Sequence, residues 1–265
     1  MSQPVWKKRT TAQGLLRWAG WLILVAVTVF CWKVMNKDTI WEFVKDSPHQ
    51  IREICGRMFP PKWSYFPELM KPLWDTINIA TLGTALGILM AIPVSYFAAS
   101  NVTPSRYILR PISMFIIVAS RSINSVIWAL LLVSILGPGL LAGIIAIALR
   151  SVGFVAKLIY ETIEEVDPRQ MEAIAATGGS NGQILSYAVV PQILPSFAGI
   201  SVFRWDVNIR ESAVLGLVGA GGIGLQLEAS MNNLAWSQVS LILLSIFSLV
   251  LLSEWLSAKI RHAIM

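Results

Sequence analysis

Charge is scarce in this chain. Of 265 residues only 14% are Asp, Glu, Lys or Arg, while 55% are apolar; soluble globular domains carry about 25% charged residues. So few charges cannot clothe a water-soluble surface, which excludes an ordinary soluble enzyme. Histidine and cysteine are rarer still, at two each. With only His49 and His262, no metal site is suggested. No Ser-His-Asp constellation stands out either, so the chain is not expected to be an enzyme. Cys31 falls inside an apolar run and Cys55 beyond it, a placement that predicts no disulfide. A Gly-x4-Gly-Lys-Ser/Thr loop is missing, so ATP phosphates cannot be held by that device.

Long apolar runs are present instead, several near or above the roughly 20 residues that cross a bilayer. They predict an all-α polytopic membrane protein with about six transmembrane helices. The net charge of +6 then says little about nucleic acid, and membrane lipid is the expected surrounding. Lys7, Lys8, Arg9 and Arg17 precede the first run, and Lys259 and Arg261 follow the last. This positive-inside bias puts both termini in the cytoplasm. The first run is rather long for a signal h-region and lacks a small-x-small cleavage site after it, so it is expected to be a retained span.

In order, residues 1–17 form a cytoplasmic tail and 18–34 the first span, with Trp18, Trp21 and Trp32 near its ends as interfacial anchors. Residues 35–71 are an external loop. Within it Ile40, Val44, Ile51, Ile54, Cys55 and Met58 recur at roughly helical spacing, which predicts a helix lying on the outer surface, ended by Phe59-Pro60-Pro61. Residues 72–260 form the core and 261–265 a short tail. Span two, about Leu73 to Ala99, has Gly83 and Gly87 as a small-xxx-small pair and Pro93 as an expected kink. Span three, about Pro111 to Ile135, is long enough to tilt or break and contains Arg121 and Asn124. Span four runs from about Leu140 to Tyr160 behind a Gly137-Pro138-Gly139 turn, with Arg150 near its middle. Span five, about Gln192 to Ile209, holds Arg204 and Asp206; Arg210 lies four beyond Asp206 and can pair with it along one face. Span six is about Val239 to Ile260.

The chain is organised around a polar island, residues 163–190, on the cytoplasmic side between spans four and five. Asp167 is an expected N-cap, Pro168 suits the first helical position, and Gln170 stands at capping-box spacing. Gly178 and Gly179 end the helix, and Ser180 with Gln183 opens a second one in capping-box register. Met171, Ile174, Ala175 and Gly178 share a face, so a small helix with a shallow apolar stripe is expected to dock into a partner.

Gly219-Ala-Gly221-Gly-Ile-Gly224 matches the Gly-x-Gly-x-x-Gly dinucleotide pattern in letters alone. That pattern works between a strand and a helix, with an acid about 20 residues on. Here membrane spans flank it, so residues 210–227, including Arg210, Glu211, Ser212, Gly221 and Gly222, are expected to be a re-entrant or membrane-edge segment with a packing or gating role. Intramembrane charge marks function by default. Arg121, with Asn124 one turn away and no acid in its span, is the first candidate for the translocation path, where a free guanidinium would attract oxyanions. Snorkelling, or pairing with Asp206 or a backbone carbonyl, is the structural alternative for these arginines.

Glu172, Ala173, Gly178 and Pro191 resemble the loop signature of ABC-importer permeases, a Glu-Ala-Ala, then Gly, then a distant Leu-Pro. Ile174 departs from the second Ala, and Ala188 and Val190 replace the usual Ile and Leu. Phe59-Pro60-Pro61 and the stretch from Asn208 through Gly224 sharpen the likeness to permeases of phosphonate and phosphite importers. The resemblance implies a type I importer permease fold in the bacterial inner membrane, with the segment around Ser212 to Gly224 similar to an outer gate. It further implies a second permease copy, two cytoplasmic ATPase subunits and a soluble extracytoplasmic binding protein. ATP and Mg would sit in the ATPase, with no cofactor in this chain. Asp167, Glu172, Ala173, Gly178 and Pro191 would couple to that ATPase. An importer permease for methionine or an osmolyte shares the loop and stays open as a reading; a secondary transporter is disfavoured by the loop and by the lack of an inverted repeat.

Overall fold

The computed structural model describes residues 11–264. Lys7, Lys8 and Arg9, on which much of the N-terminal charge bias rests, lie outside the described residues, as does Met265. The chain divides into two units, one ending at Gly56 and the other beginning at Arg57.

The first unit contains α1 (Thr11–Asp38) and most of α2 (Trp41–Met58). The apolar window of α1, Gly14–Lys37, is longer than the expected span at both ends. Leu16, Leu22, Ile23, Phe30 and Trp32 are exposed on several faces of it. A helix apolar all round belongs in lipid or a core, and here none of it is buried. The surface helix expected in the 35–71 loop is α2, running through Pro48 to the Phe59-Pro60-Pro61 stop.

In the second unit a short 3₁₀ turn leads into α3 (Phe66–Ala98), followed by α4 (Leu109–Ser122), α5 (Ser125–Leu136) and α6 (Leu140–Glu164). Then come α7 (Pro168–Ala176), α8 (Asn181–Ile184) and α9 (Val190–Leu215), with the wide π turn Leu185–Val189 joining the last two. The chain ends with α10 (Ile223–Asn232) and α11 (Trp236–Ile264). No strand occurs among the described residues. Among the described residues five helices are long and apolar enough to cross a membrane, or six spans if α4 and α5, bent by 89°, count as one broken span.

Helix α6 is the axis of this unit and packs against α3, α4, α5 and α9. Small residues make that possible: Ala142, Gly143, Ala146, Ala148, Ser151, Gly153 and Ala156 are all buried. Gly83 and Gly87 of α3 face the same axis. A Cβ at Gly83 would lie 2.8 Å from Ile147 Cγ2, and one at Gly87 2.6 Å from Ser151 Cβ. The small-xxx-small pair is therefore a backbone-approach site, where dispersion between close helices replaces the hydrophobic drive that lipid removes.

Apolar clusters lie at either end of this axis. One gathers Ala91, Ala98, Ile117, Val155, Ile159, Ile163 and Val189; another gathers Ile79, Ala129, Ala146, Ile147, Leu215 and Ala220. Between them along α3 and α6 fall Thr84, Arg150 and Ser151. A polar layer is thus held at mid-span.

One expectation needs correction. Span five does not stop near Ile209: α9 continues to Leu215, because nothing before Gly216 breaks it. Arg210, Glu211 and Ser212 therefore stand on α9 and not in a separate segment after it. Span three, expected to tilt or break, does break, where Ile123 adopts extended backbone and Asn124 caps the next helix.

Candidate functional site

The polar island folds as a capped knob. Asp167 stands at the N-cap of α7, its carboxylate accepting from Arg169 N–H at 3.0 Å, with Arg169 Nη2 3.2 Å away. The carboxylate goes to Arg169, so the anticipated partnership with Gln170 is replaced by a nearer one. At the other end Gly178 has φ +81°, and its N–H donates to Ala175 O at 3.0 Å while Gly179 N–H reaches Ile174 O at 3.2 Å. Glycine is needed there because an L side chain in that region costs about 1–2 kcal/mol. The Ser180–Gln183 capping box is formed in full.

The expected face of α7 is divided. Met171 packs onto the buried cluster around Ile163 and Val166, and Ile174 is partly covered. Glu172, Ala173, Ala175, Ala176 and Gly178 are exposed. Met171 and Ile174 seat the knob on its own chain, and Glu172 with Ala173 faces outward. One residue that sequence reasoning passed over fixes the knob to α9. Gln192 Oε1 accepts from Asp167 N–H at 3.2 Å, while its Nε2 donates to Ala188 O at 2.8 Å. Pro191, exposed in the first turn of α9, adjoins this brace.

The second candidate region is the mid-span polar layer. Arg204 is only 3% exposed, and its Nε donates to Ser151 Oγ at 3.0 Å. Its guanidinium lies 5.2 Å from the centre of the Phe154 ring, a cation–π contact. Asn208 Nδ2 reaches both Thr84 Oγ1, at 2.7 Å, and Ser151 Oγ, at 3.0 Å. Glu211 lies between two guanidinium groups: its Oε1 is 3.3 Å from Arg150 Nε and its Oε2 is 3.5 Å from Arg204 Nη2. Arg150 Nη1 also donates to Ile123 O, at 3.4 Å, in the α4–α5 break.

That break is clasped to the same level of α6. Ser120 Oγ donates to Leu149 O and accepts from Gly153 N–H. Next to it Arg121, at the end of α4, is exposed and has no ionic or hydrogen-bonding partner among the described residues. Asn124 is spoken for: its side-chain oxygen accepts from Val126 N–H at 3.3 Å and from Ser125 Oγ. It shapes the break as a helix cap.

Helix α9 has two charged faces. Arg204, Asn208 and Glu211 turn toward α3 and α6, whereas Asp206 and Arg210 turn the other way. Arg210 pairs with Asp206, whose other oxygen accepts from Ser253 Oγ of α11 at 2.8 Å. Ser212 is buried and donates to its own Ile209 O at 2.8 Å. Gly221 and Gly222 form a turn with φ +85° and +74°, which seats α10 so that Ile223 N–H donates to Thr76 Oγ1 at 2.8 Å. No strand adjoins the glycine pattern, so it serves helix packing. Of the expected gate residues, the structure brings Glu211 to the arginine layer and leaves Arg210, Ser212, Gly221 and Gly222 in separate contacts. Ser151 and Asn208, which complete the layer, were not singled out, since isolated polar residues in apolar runs carry no motif.

Residues 83–263 match the family described as binding-protein-dependent transport system inner membrane component. The chain is 34% identical over 240 residues to the phosphite transport system permease protein PtxC of Stutzerimonas stutzeri, covering 91% of this chain and 86% of that one. It is 39% identical over 209 residues to the phosphate-import permease protein PhnE of Mycolicibacterium smegmatis, covering 78% of this chain but 39% of that longer protein. Among solved structures, an inward-facing form of the MetNI methionine ABC transporter has a chain of the same fold, at TM-score 0.67 and 21% identity. That likeness covers 77% of this chain and 99% of the other.

Proposed function

We infer that this chain, which belongs to the family of binding-protein-dependent transport inner membrane components, carries phosphonate, phosphite or a related phosphorus oxyanion through an ATP-driven importer. It is a multi-pass permease subunit and not an enzyme. Hydrolysis belongs to a separate ATPase, and a binding protein delivers the solute. The observation that carries the substrate reading is the excess of guanidinium over carboxylate at mid-span, where Arg150 and Arg204 share one acid, Glu211, and Arg121 stands exposed without a carboxylate. The names of the two relatives point to the same class of solute.

In this reading two permease copies stand side by side, with two ATPase subunits beneath and a soluble receptor outside. The knob Asp167–Gly178 and both termini are cytoplasmic, in a bacterial inner membrane. ATP and Mg are held by the ATPase, and this chain holds no cofactor. An exposed guanidinium at mid-span supports the pairing, because facing lipid would cost about 2.5–3.5 kcal/mol. A second copy or an aqueous path must cover Arg121.

Closure of the ATPase pair pushes on Glu172 and Ala173. Met171 and Gln192 pass that displacement to the base of α9, which carries Arg204 and Glu211. The motor drives transport only in so far as its closed form prefers one permease state. The path then opens outward to receive solute, and hydrolysis returns it inward.

The methionine-type alternative has the fold in its favour, but at 21% identity fold is all that likeness offers. The deciding experiment purifies the permease with its ATPase, reconstitutes both in vesicles and supplies the receptor loaded with phosphite, methylphosphonate or methionine. ATP-dependent uptake of a phosphorus oxyanion is expected. Uptake of methionine alone, or sustained uptake without ATP, would overturn the reading.

A further inference from the structure

We propose that Arg150 and Arg204 form an oxyanion site within the membrane, and that Glu211 is its tethered counter-ion, displaced by the solute as it passes. The proposal rests on the importer reading for the class of solute; the site itself rests on geometry.

Glu211 occupies the two guanidinium groups loosely. Its oxygens stand 3.3 Å from Arg150 Nε and 3.5 Å from Arg204 Nη2. Neither contact is the paired fork in which a carboxylate lies flat against one guanidinium. Glu211 Oε2 and Arg204 Nη2 are both buried, and neither makes a hydrogen bond of good geometry. Asn208 Oδ1 is a third buried atom without a partner in the same layer. A donor as buried as Arg204 is costly to leave unsatisfied, so this layer holds unused binding capacity.

The rest of Arg204 is held firmly. Ser151 takes its Nε, and Phe154 lies beside its plane. Such anchoring leaves the Nη edge aimed at Glu211 and fixes its direction in advance, which lowers the cost of ordering it around a ligand. Arg150 is about one-third exposed, at 30%, and supplies the open side of the pair. The groups facing Glu211 are thus two cations, and one carboxylate leaves one positive charge uncompensated. A tetrahedral anion with two or three equivalent oxygens can bridge both guanidinium groups, where a tethered carboxylate reaches each with one oxygen.

The pairs also differ in what holds them together. Arg204 and Glu211 ride on the same helix, α9, whereas Arg150 belongs to α6. Displacement of α9 along α6 therefore separates Glu211 from Arg150 while leaving it beside Arg204. Gln192 and Met171 tie the foot of α9 to the docking knob, so the site is exchanged between internal and transported anion by the element that the motor moves.

The test is equilibrium retention of radiolabelled inorganic phosphate and methylphosphonate by the detergent-purified permease–ATPase complex without receptor, with labelled methionine as a control. Glu211→Gln removes the competing charge with little change of shape. It is expected to raise retention of both phosphorus probes about tenfold, as loss of a close charge pair allows, with methionine unaffected. Arg150→Lys keeps the charge but loses the fork, and should lower retention about tenfold in the Glu211→Gln background. If Glu211→Gln does not assemble with the ATPase, Arg150→Lys alone decides against wild type, and a loss of retention is still required. Equal retention by wild type and variants overturns the site, even if vesicles take up phosphorus oxyanions normally. Absence of such uptake in wild-type vesicles would instead sink the importer's substrate class, so the two failures are told apart.

Discussion

Asn208 Nδ2 donates to Thr84 Oγ1 at 2.7 Å, joining α9 to α3 at a level where both side chains are buried. The same amide reaches Ser151 on α6, so three helices meet at one side chain. Asn208→Ala should lower the unfolding free energy of the purified complex by about 1–3 kcal/mol, since buried hydroxyls on two helices each lose one of their partners. A thermal melt in detergent reads this; an unchanged midpoint would show that the three helices do not depend on the contact.

The packing of α3 on α6 yields a second expectation. Gly87→Val places a branched side chain where even a Cβ would lie 2.6 Å from Ser151 Cβ. Overpacking of this kind costs about 1–3 kcal/mol or more, and membrane yield should fall with the melting midpoint. Gly20→Val on α1, where nothing stands within 4 Å, is the matched control and should leave both unchanged. Equal behaviour of the two variants would contradict the close approach.

At the knob, Gly178→Val meets open space but a forbidden backbone, with φ +81°. The strain, about 1–2 kcal/mol, falls on the C-terminal stop of α7. We expect the variant to assemble with its ATPase while transport per ATP hydrolysed falls several-fold. Gly178→Asn, which tolerates that backbone better, should recover part of the ratio. Normal stoichiometry in Gly178→Val would remove the stop from the coupling path.

Arg121→Ala tests the broken span. Since Arg121 is exposed and makes no ion pair or hydrogen bond among the described residues, its loss should leave assembly and melting intact and reduce uptake of phosphorus oxyanions at least tenfold. Uptake at the wild-type rate would take Arg121 out of the path.

How far the chain could be read in advance depended on range. Spans, caps and the knob are local matters of apolar length, proline and glycine placement, and Ser180–Gln183 formed as its spacing implied. Long-range pairing was another matter. Nothing near Glu211 in sequence says that it will meet Arg150, because that contact is made only once α9 lies along α6. The end of span five was missed for a similar reason: polar residues at 208–212 look like an exit from the membrane, yet they face a polar layer built by Thr84, Arg150 and Ser151. The α7 stripe is divided, with Met171 and Ile174 partly covered by the chain itself and Ala175 and Gly178 exposed, because a helical face shows that something covers it, and not whether the cover is a partner or the helix's own chain.

The wide turn Leu185–Val189 gives α9 a swivel at its root. A helix advances about 100° per residue, and a π turn holds one residue more than an α turn would. Were that turn to tighten at constant chain length, everything beyond Val190 would change azimuth by about that angle, swinging Arg204 and Asn208 off Ser151. The bearing of the whole cationic half of the rod is thus set by five residues, beside the glutamine that holds the knob.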